Sequence, residues 1–235
     1  MGEILTLRNV RKSFGAQIVL QDVNLSVPEG RMNALIGPSG GGKSVLLKCA
    51  AGLLRKDSGS IGILGTDDVS DWGPIRSNIG MLFQRNALFD SMNVWQNVAF
   101  ALLRRGQTPS AARQEAQKLL AMVGLDQRAG NSAPSALSGG MRKRAALARA
   151  IAGAPKLLLL DDPTAGLDPV LAASMEQLIR HLVREGGATA LTVTADVHDL
   201  SERFDNVAIL DEGRIVWQDN SAKANPDVHP LLLAA

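Results

Sequence analysis

The chain has 235 residues and one cysteine, Cys49. A lone cysteine excludes an intrachain disulfide and fits a reducing compartment, where it serves as a small buried apolar side chain. Neither sign of charge dominates. The net charge of +2 is too small for the basic surface that nucleic-acid binding needs. No stretch reaches the roughly 18 uncharged apolar residues of a membrane-spanning helix. The opening residues lack the apolar segment of a signal peptide, so none is expected. There is no internal repeat and no low-complexity tract. What remains is a length sufficient for one α/β domain, with 46% hydrophobic and 20% charged residues, the balance of an ordinary globular protein.

The beginning reads as strand. Ile4-Leu5-Thr6-Leu7 and the run Val19 to Val27 alternate at period 2, and Pro28-Glu29-Gly30 forms a turn. Met32-Asn33-Ala34-Leu35-Ile36 suits a buried strand ending at a glycine-rich loop, after which a helix is predicted from Lys43 to about Leu54. Helical spacing dominates from about Ser91 to Ala152. Within it, Arg142, Lys143, Arg144 and Arg149 form a charged cluster expected to lie on a solvated or interface face. Leu157 to Asp161 is a continuous apolar run ending in acid, the pattern of a central parallel strand. A helix follows from about Val170 to Glu185, then a strand from Thr189 to Thr194. Val207 to Leu210 and Arg214 to Trp217 flank Asp211-Glu212-Gly213 as a hairpin. This order predicts a mixed α/β core with a helical insert.

Gly37-Pro38-Ser39-Gly40-Gly41-Gly42-Lys43-Ser44 fits G-x-x-x-x-G-K-[ST] at every fixed position. Glycines let backbone N–H groups turn toward β- and γ-phosphates, and the next helix aims its N-terminus at the same anion. Lys43 adds a mobile cation, and the Ser44 hydroxyl can coordinate Mg²⁺. By itself this motif does not separate a transporter ATPase from a GTPase or a small-molecule kinase. No N-K-x-D guanine motif appears.

A second sequence, Leu137-Ser138-Gly139-Gly140-Met141, precedes a helix and closely resembles the LSGGQ signature of ABC ATPases, with Met141 in place of glutamine. The chain resembles that family from about Leu5 to Trp217, in the family's motif order. The resemblance implies a P-loop NTPase: a RecA-like core with an antiparallel β-subdomain and an inserted α-helical subdomain. The expected bounds are residues 1–220 for the ATPase unit, with core at about 1–88 and 155–220 and helical part at about 89–154. Residues 221–235 form a C-terminal tail. The resemblance further implies ATP and Mg²⁺ as ligands. Asp161 ends the Walker B strand and holds Mg²⁺ through water, Gln84 is the Q-loop glutamine and a Mg²⁺ ligand, and Phe14 resembles the aromatic that stacks on adenine. Ala165-Gly166-Leu167-Asp168 resembles the D-loop. In this family two copies pair head to tail. The Gly37 to Ser44 loop of one and the Ser138, Gly139 and Gly140 turn of the other then hold the same ATP, and a transmembrane permease docks near Gln84.

Two positions depart from the family pattern. Asp162 stands where a glutamate usually polarises the attacking water. Its reach is shorter by one carbon–carbon bond, about 1.5 Å. Counting back from Asp205-Asn206-Val207-Ala208 puts Ala195 in the place of the switch histidine. His198 then falls three residues later on the next helix, although a short local shift would bring His198-Asp199 into the site. Asp162, Gln84 and Lys43 are the expected catalytic residues, and hydrolysis is expected to be slow.

Met81 to Phe100 and Leu137 to Ala150 are similar to the ATPases of Mla and MCE lipid-transport systems. That resemblance implies the cytoplasmic face of a bacterial inner membrane, a permease and an MCE-domain protein as partners, no nucleic acid and no lipid bound by this chain itself. The apolar end Pro230 to Ala235 is either a packed terminus or a handle on a neighbouring subunit. Two other classes compete. A translation or repair ATPase would carry a second such domain or a coiled-coil insertion, and the Gln84 to Leu137 interval has room only for a compact helical unit. A weakly catalytic ATP-binding scaffold is suggested by Asp162 and Ala195.

Overall fold

The structure is a computed structural model that describes residues 2–85, 87–225 and 227–232. It begins with two long strands, β1 (Glu3–Phe14) and β2 (Gln17–Pro28), then β3 (Met32–Ile36), α1 (Lys43–Ala50), β4 (Ser58–Ile63), α2 (Gly73–Arg76) and β5 (Ile79–Leu82). Four helices follow: α3 (Val94–Arg104), α4 (Pro109–Met122), α5 (Gln127–Asn131) and α6 (Gly139–Ile151). The chain then returns through β6 (Leu157–Asp161), α7 (Pro169–Arg184), β7 (Thr189–Val193), α8 (Leu200–Arg203), β8 (Asn206–Asp211) and β9 (Arg214–Asn220).

A three-stranded antiparallel sheet in the order β2-β1-β4 lies beside a six-stranded sheet in the order β5-β6-β7-β3-β8-β9. In the larger sheet only the β8–β9 hairpin is antiparallel. The continuous apolar runs are explained by burial on both faces. Leu158 and Leu160 point into a core shared with α3, α4, α6 and α7. Leu157 and Leu159 point the other way, into a core shared with α1 and the antiparallel sheet. Val207 and Ile209 alternate with Ala208 and Leu210 in the same manner. A strand covered on both sides needs no polar alternation.

Four expectations need correction. The first helix stops at Ala50 rather than near Leu54, because Gly52 adopts φ 64° and the Trp72 ring occupies the space a Cβ would need there. The interval 91–152 is broken by Gly106 and Gly124, both at positive φ. β4 and β5 are strands that the periodicity did not disclose; each carries glycines, and β5 has only four residues. The cationic cluster on α6 is not a solvated face. Lys143 is 6% exposed. Arg144 Nη1 donates to the carbonyls of Val123 and Gly124 at 3.1 and 2.8 Å, and Arg149 Nη1 donates to Ala87 O at 2.7 Å. These cations staple turns whose carbonyls have no helical partner.

The loop before α3 is fixed by Asn97, which is fully buried. Its amide donates to the carbonyls of Phe89, Met92 and Asn93, and its oxygen accepts from Phe89 N at 2.7 Å. Asn93 and Gln96 add a reciprocal capping box. Toward the other end of the chain, Leu232 is buried in the core; residues 233–235 lie outside the described residues.

Gly80 on β5 lies against α6. A Cβ there would sit 2.1 Å from Ala150 O and 2.8 Å from Pro155 Cγ. Gly80→Ala is expected to cost about 1–3 kcal/mol, read as a lower urea midpoint at unchanged slope.

Candidate active site

The carboxyl ends of β3, β5, β6 and β7 converge, as is usual for ligand clefts in open α/β sheets. They border a cleft of about 350 Å³ lined by Val19, Ser39 to Val45, Gln84, Asp161, Asp162, Val193 and Ala195. The glycine-rich loop leaves β3 and runs into α1. Gly37 is required by close approach, since a Cβ would fall 2.1 Å from Leu210 O. Gly42, the residue before α1, has φ 94°, a conformation that side chains other than hydrogen resist. Lys43 is 8% exposed. Its ammonium donates to the carbonyls of Gly37 and Pro38 at 2.7 and 2.8 Å, so the loop binds its own lysine. Burial pulls the Lys43 pKa below the ordinary lysine value, and Asp162 and Asp161 oppose that shift.

Asp161 is buried at the end of β6. Asp162 follows in the left-handed region at φ 55°, with its N–H donating to Val193 O at 3.0 Å. Burial raises the Asp162 pKa above the usual carboxylate value. Lys143 opposes the shift, Asp161 adds to it, Lys43 opposes it and Asp196 adds to it. Ser44, Gln84 and Asp161 offer a hydroxyl, an amide oxygen and a carboxylate in one cleft. Such hard oxygen donors suit Mg²⁺, which keeps several waters and takes its other ligands from phosphates. Among the described residues no three His, Cys, Asp or Glu side chains gather as a protein-only metal cage.

Ala195 lines the cleft and His198 does not. His198 lies in a turn before α8, not on a helix, and its ring bonds Asp196 Oδ1 at 2.9 Å. Arg203 holds that turn, donating to Asp196 Oδ2 at 2.6 Å and to Glu176 at 2.7 Å. The local shift that would bring His198-Asp199 into the cleft is therefore not made.

Phe14, expected near the nucleotide, ends β1 half-exposed with Lys12 5.3 Å from its ring, and it does not line the cleft. Gly37 and Pro38 contribute their carbonyls to Lys43 rather than lining the cleft. Ser138, Gly139 and Gly140 are also outside it. Ser138 caps α6, its hydroxyl accepting from Met141 N at 3.2 Å. Asp168 caps α7 by accepting from Leu171 N at 3.1 Å. Val19 was missed by sequence reading. It reaches the cleft only because β2 crosses behind the loop, where Val19 O would be 3.0 Å from a Cβ on Gly42. Lys143 was missed for a similar reason, since a lysine among arginines on a helix gives no sign of burial.

The family model for ABC transporters matches residues 20–165. The chain belongs to the ABC transporter family. Among curated relatives, this ABC chain is 40% identical over 211 residues to a sulfate/thiosulfate import ATP-binding protein, CysA, of Synechocystis, covering 90% of this chain and 59% of that protein. It is 42% identical over 217 residues to a probable ribonucleotide transport ATP-binding protein, mkl, of Mycobacterium tuberculosis, covering 89% of this chain and 60% of that one. The chain thus spans about three-fifths of the length of both. Among solved structures it is similar to the ATP-binding cassette MJ0796, described as a dimer in a post-hydrolysis state bound to ADP and Pi. The TM-score is 0.85 at 31% identity, over 92% of this chain and 98% of that one. The likeness establishes the ABC cassette fold. Among the described residues no helix of the cassette is long and apolar enough to cross a membrane.

The raised Asp162 pKa has a consequence for stability. A carboxylate whose folded pKa lies above its unfolded value costs the fold stability as pH rises through that interval. Asp162→Asn removes this cost, and asparagine tolerates the left-handed backbone. The melting temperature of the variant relative to the parent is expected to rise between pH 3.5 and pH 7; a gap that stays flat or shrinks would contradict the assignment.

Proposed function

We propose that the chain is the ATP-hydrolysing subunit of an ABC transporter and that it works as a homodimer with two shared sites. One observation carries this reading. The cleft holds the Ser39 to Ser44 part of the phosphate loop and two carboxylates, yet Ser138, Gly139 and Gly140 lie outside it. The signature turn is a capped helix N-terminus, suited to an anion, and a second copy paired head to tail brings it to the first copy's triphosphate. The relative MJ0796, described as dimeric and bound to ADP and Pi, supports the arrangement.

In the proposed mechanism the backbone N–H groups of the Ser39 to Ser44 segment cradle the phosphates. Lys43 exchanges its carbonyl partners for phosphate oxygens. Bound Mg²⁺, held by Ser44, Gln84 and, through water, Asp161, would neutralise charge on the β- and γ-phosphates. Asp162 orients a water toward the γ-phosphorus. As the new P–O bond forms, the bridging β–γ oxygen leaves with ADP, and the water's proton passes to Asp162 and then to phosphate. Asp162 is shorter than the usual glutamate, and Ala195 carries no imidazole. A misplacement of about 1 Å costs on the order of 100-fold in rate, so steady-state turnover falls well below the general enzyme median of about 10 s⁻¹. Residues 89–154 are the segment that carries closure to the permease.

The substrate reading is phospholipid or another hydrophobic molecule, moved with an MCE-type partner at the cytoplasmic face of a bacterial inner membrane. It rests on the stretches Met81 to Phe100 and Leu137 to Ala150. A second reading, the ATPase of a small-anion importer, is favoured by the 40% identity to a protein named for sulfate/thiosulfate import. Purification of the tagged chain from membranes separates them. Co-purifying MCE-domain protein and phospholipid support the first reading, and a permease with a soluble anion-binding protein supports the second.

Asp162→Glu is expected to raise steady-state phosphate release at saturating ATP by at least about tenfold, and by no more than roughly 100-fold. Ala195→His should raise it further in combination. Parent turnover at the enzyme median with no gain in either variant would contradict the mechanism.

A further inference from the structure

Lys143 is the fifth residue of α6 and lies one turn past the signature glycines. Its ammonium donates to Asp162 O at 2.8 Å and to Ala165 O at 2.6 Å. Both acceptors belong to the loop that carries Asp162 out of β6 and leads into α7. Gly140, three residues earlier on the same helix face, meets that loop as well: a Cβ there would lie 3.2 Å from Leu167 Cδ2. The start of α6 is thus seated on the 162–167 loop by Gly140 against the Leu167 side chain and by two charged hydrogen bonds from Lys143. Burying an ammonium is costly unless its donors are satisfied, and burial lowers the Lys143 pKa from its ordinary value. The bonds to main-chain carbonyls fix the loop's path. Asp162 O also accepts from Ala165 N at 3.3 Å, closing a turn, and Asp162 itself is held at φ 55°.

We propose that Lys143 is a positioning residue that couples the signature turn, which faces the partner's nucleotide, to the loop that aims this chain's own Asp162. The inference rests on the shared-site dimer described above. When Ser138 and its neighbouring N–H groups engage a triphosphate, the first turn of α6 is pulled toward it. That turn cannot move alone, because the loop must follow or two partly buried charged hydrogen bonds must break, each worth more than a neutral one. Binding at one site is thereby reported to the carboxylate of the other. The coupling is reciprocal, as any equilibrium linkage must be. Lys143 touches neither phosphate nor water in this scheme. It acts through the backbone of Asp162 and Ala165.

The test compares the full chain with Lys143→Met, which keeps the apolar stem and removes the donors, and Lys143→Arg, whose guanidinium can donate to both carbonyls. Phosphate release is measured against ATP concentration, with the melting temperature recorded for each protein. Lys143→Met is expected to lower kcat roughly 10- to 100-fold with KM for ATP little changed, and to bring the Hill coefficient down toward one. Lys143→Arg is expected to recover most of both. A folded Lys143→Met protein with parental kcat and cooperativity overturns the proposal. So does a loss of kcat that only tracks a lost folded fraction and that arginine does not rescue. If Lys143→Met does not fold, Lys143→Gln, which retains an amide donor, is read by the same criteria. A parent that forms no ATP-dependent dimer sinks the shared-site reading and this proposal together, whereas a cooperative parent with an indifferent Lys143→Met variant sinks the proposal alone.

Discussion

A parallel strand covered on both faces can present polar chemistry only at its end. That constraint organises this molecule. β3 and β6 are buried along their whole length, so the phosphate loop begins where β3 stops and Asp161 stands where β6 stops. β7 lies between them in the sheet and ends at Val193, two residues before Ala195, by the same logic. The cleft is the set of strand ends that could not be buried.

Every polar group brought to that edge must then be satisfied. Lys43 takes carbonyls of its own loop, Asp162 N–H takes Val193 O, and Asp162 O takes Lys143. The loops are therefore held in part by hydrogen bonds from the buried lysines Lys43 and Lys143. Such bonds can exchange partners when an anion arrives, and this is how a rigid sheet acquires a responsive edge. The antiparallel sheet and α1 cover one face and the helical insert the other, so the phosphate loop and the Ser138 to Gly140 turn emerge in different places on one chain.

The parts legible in the sequence were those in which local chemistry and tertiary role coincide. The glycine–lysine–serine loop, the Leu157 to Asp161 run and the 206–220 hairpin announce themselves because their residue types are required by backbone geometry or by two-sided burial. Ala195, reached by counting back from a downstream strand, lines the cleft. His198 was assigned to a helix that starts two residues later, since nothing in Val197-His198-Asp199 reveals that Arg203 will hold that turn to Glu176. β4 and β5 were hidden by glycines whose purpose is the close approach of another element, as at Gly80 against Ala150 O. Lys143 was read as part of a solvated or interface face because burial of a lysine depends on carbonyls 19 and 22 residues away. Phe14, whose motif position suggested the nucleotide, is half-exposed outside the cleft.

The central claim is that each catalytic site is divided between two copies. Complementation tests it most directly. A Lys43→Ala chain retains a working signature, and a Ser138→Arg chain retains a working phosphate loop; each alone should be inactive. In an equimolar mixture half the dimers are heterodimers with one intact site, so ATP turnover should return, up to a limit of about a quarter of the parental rate that coupling between the sites lowers. A mixture no more active than its two components would contradict the account.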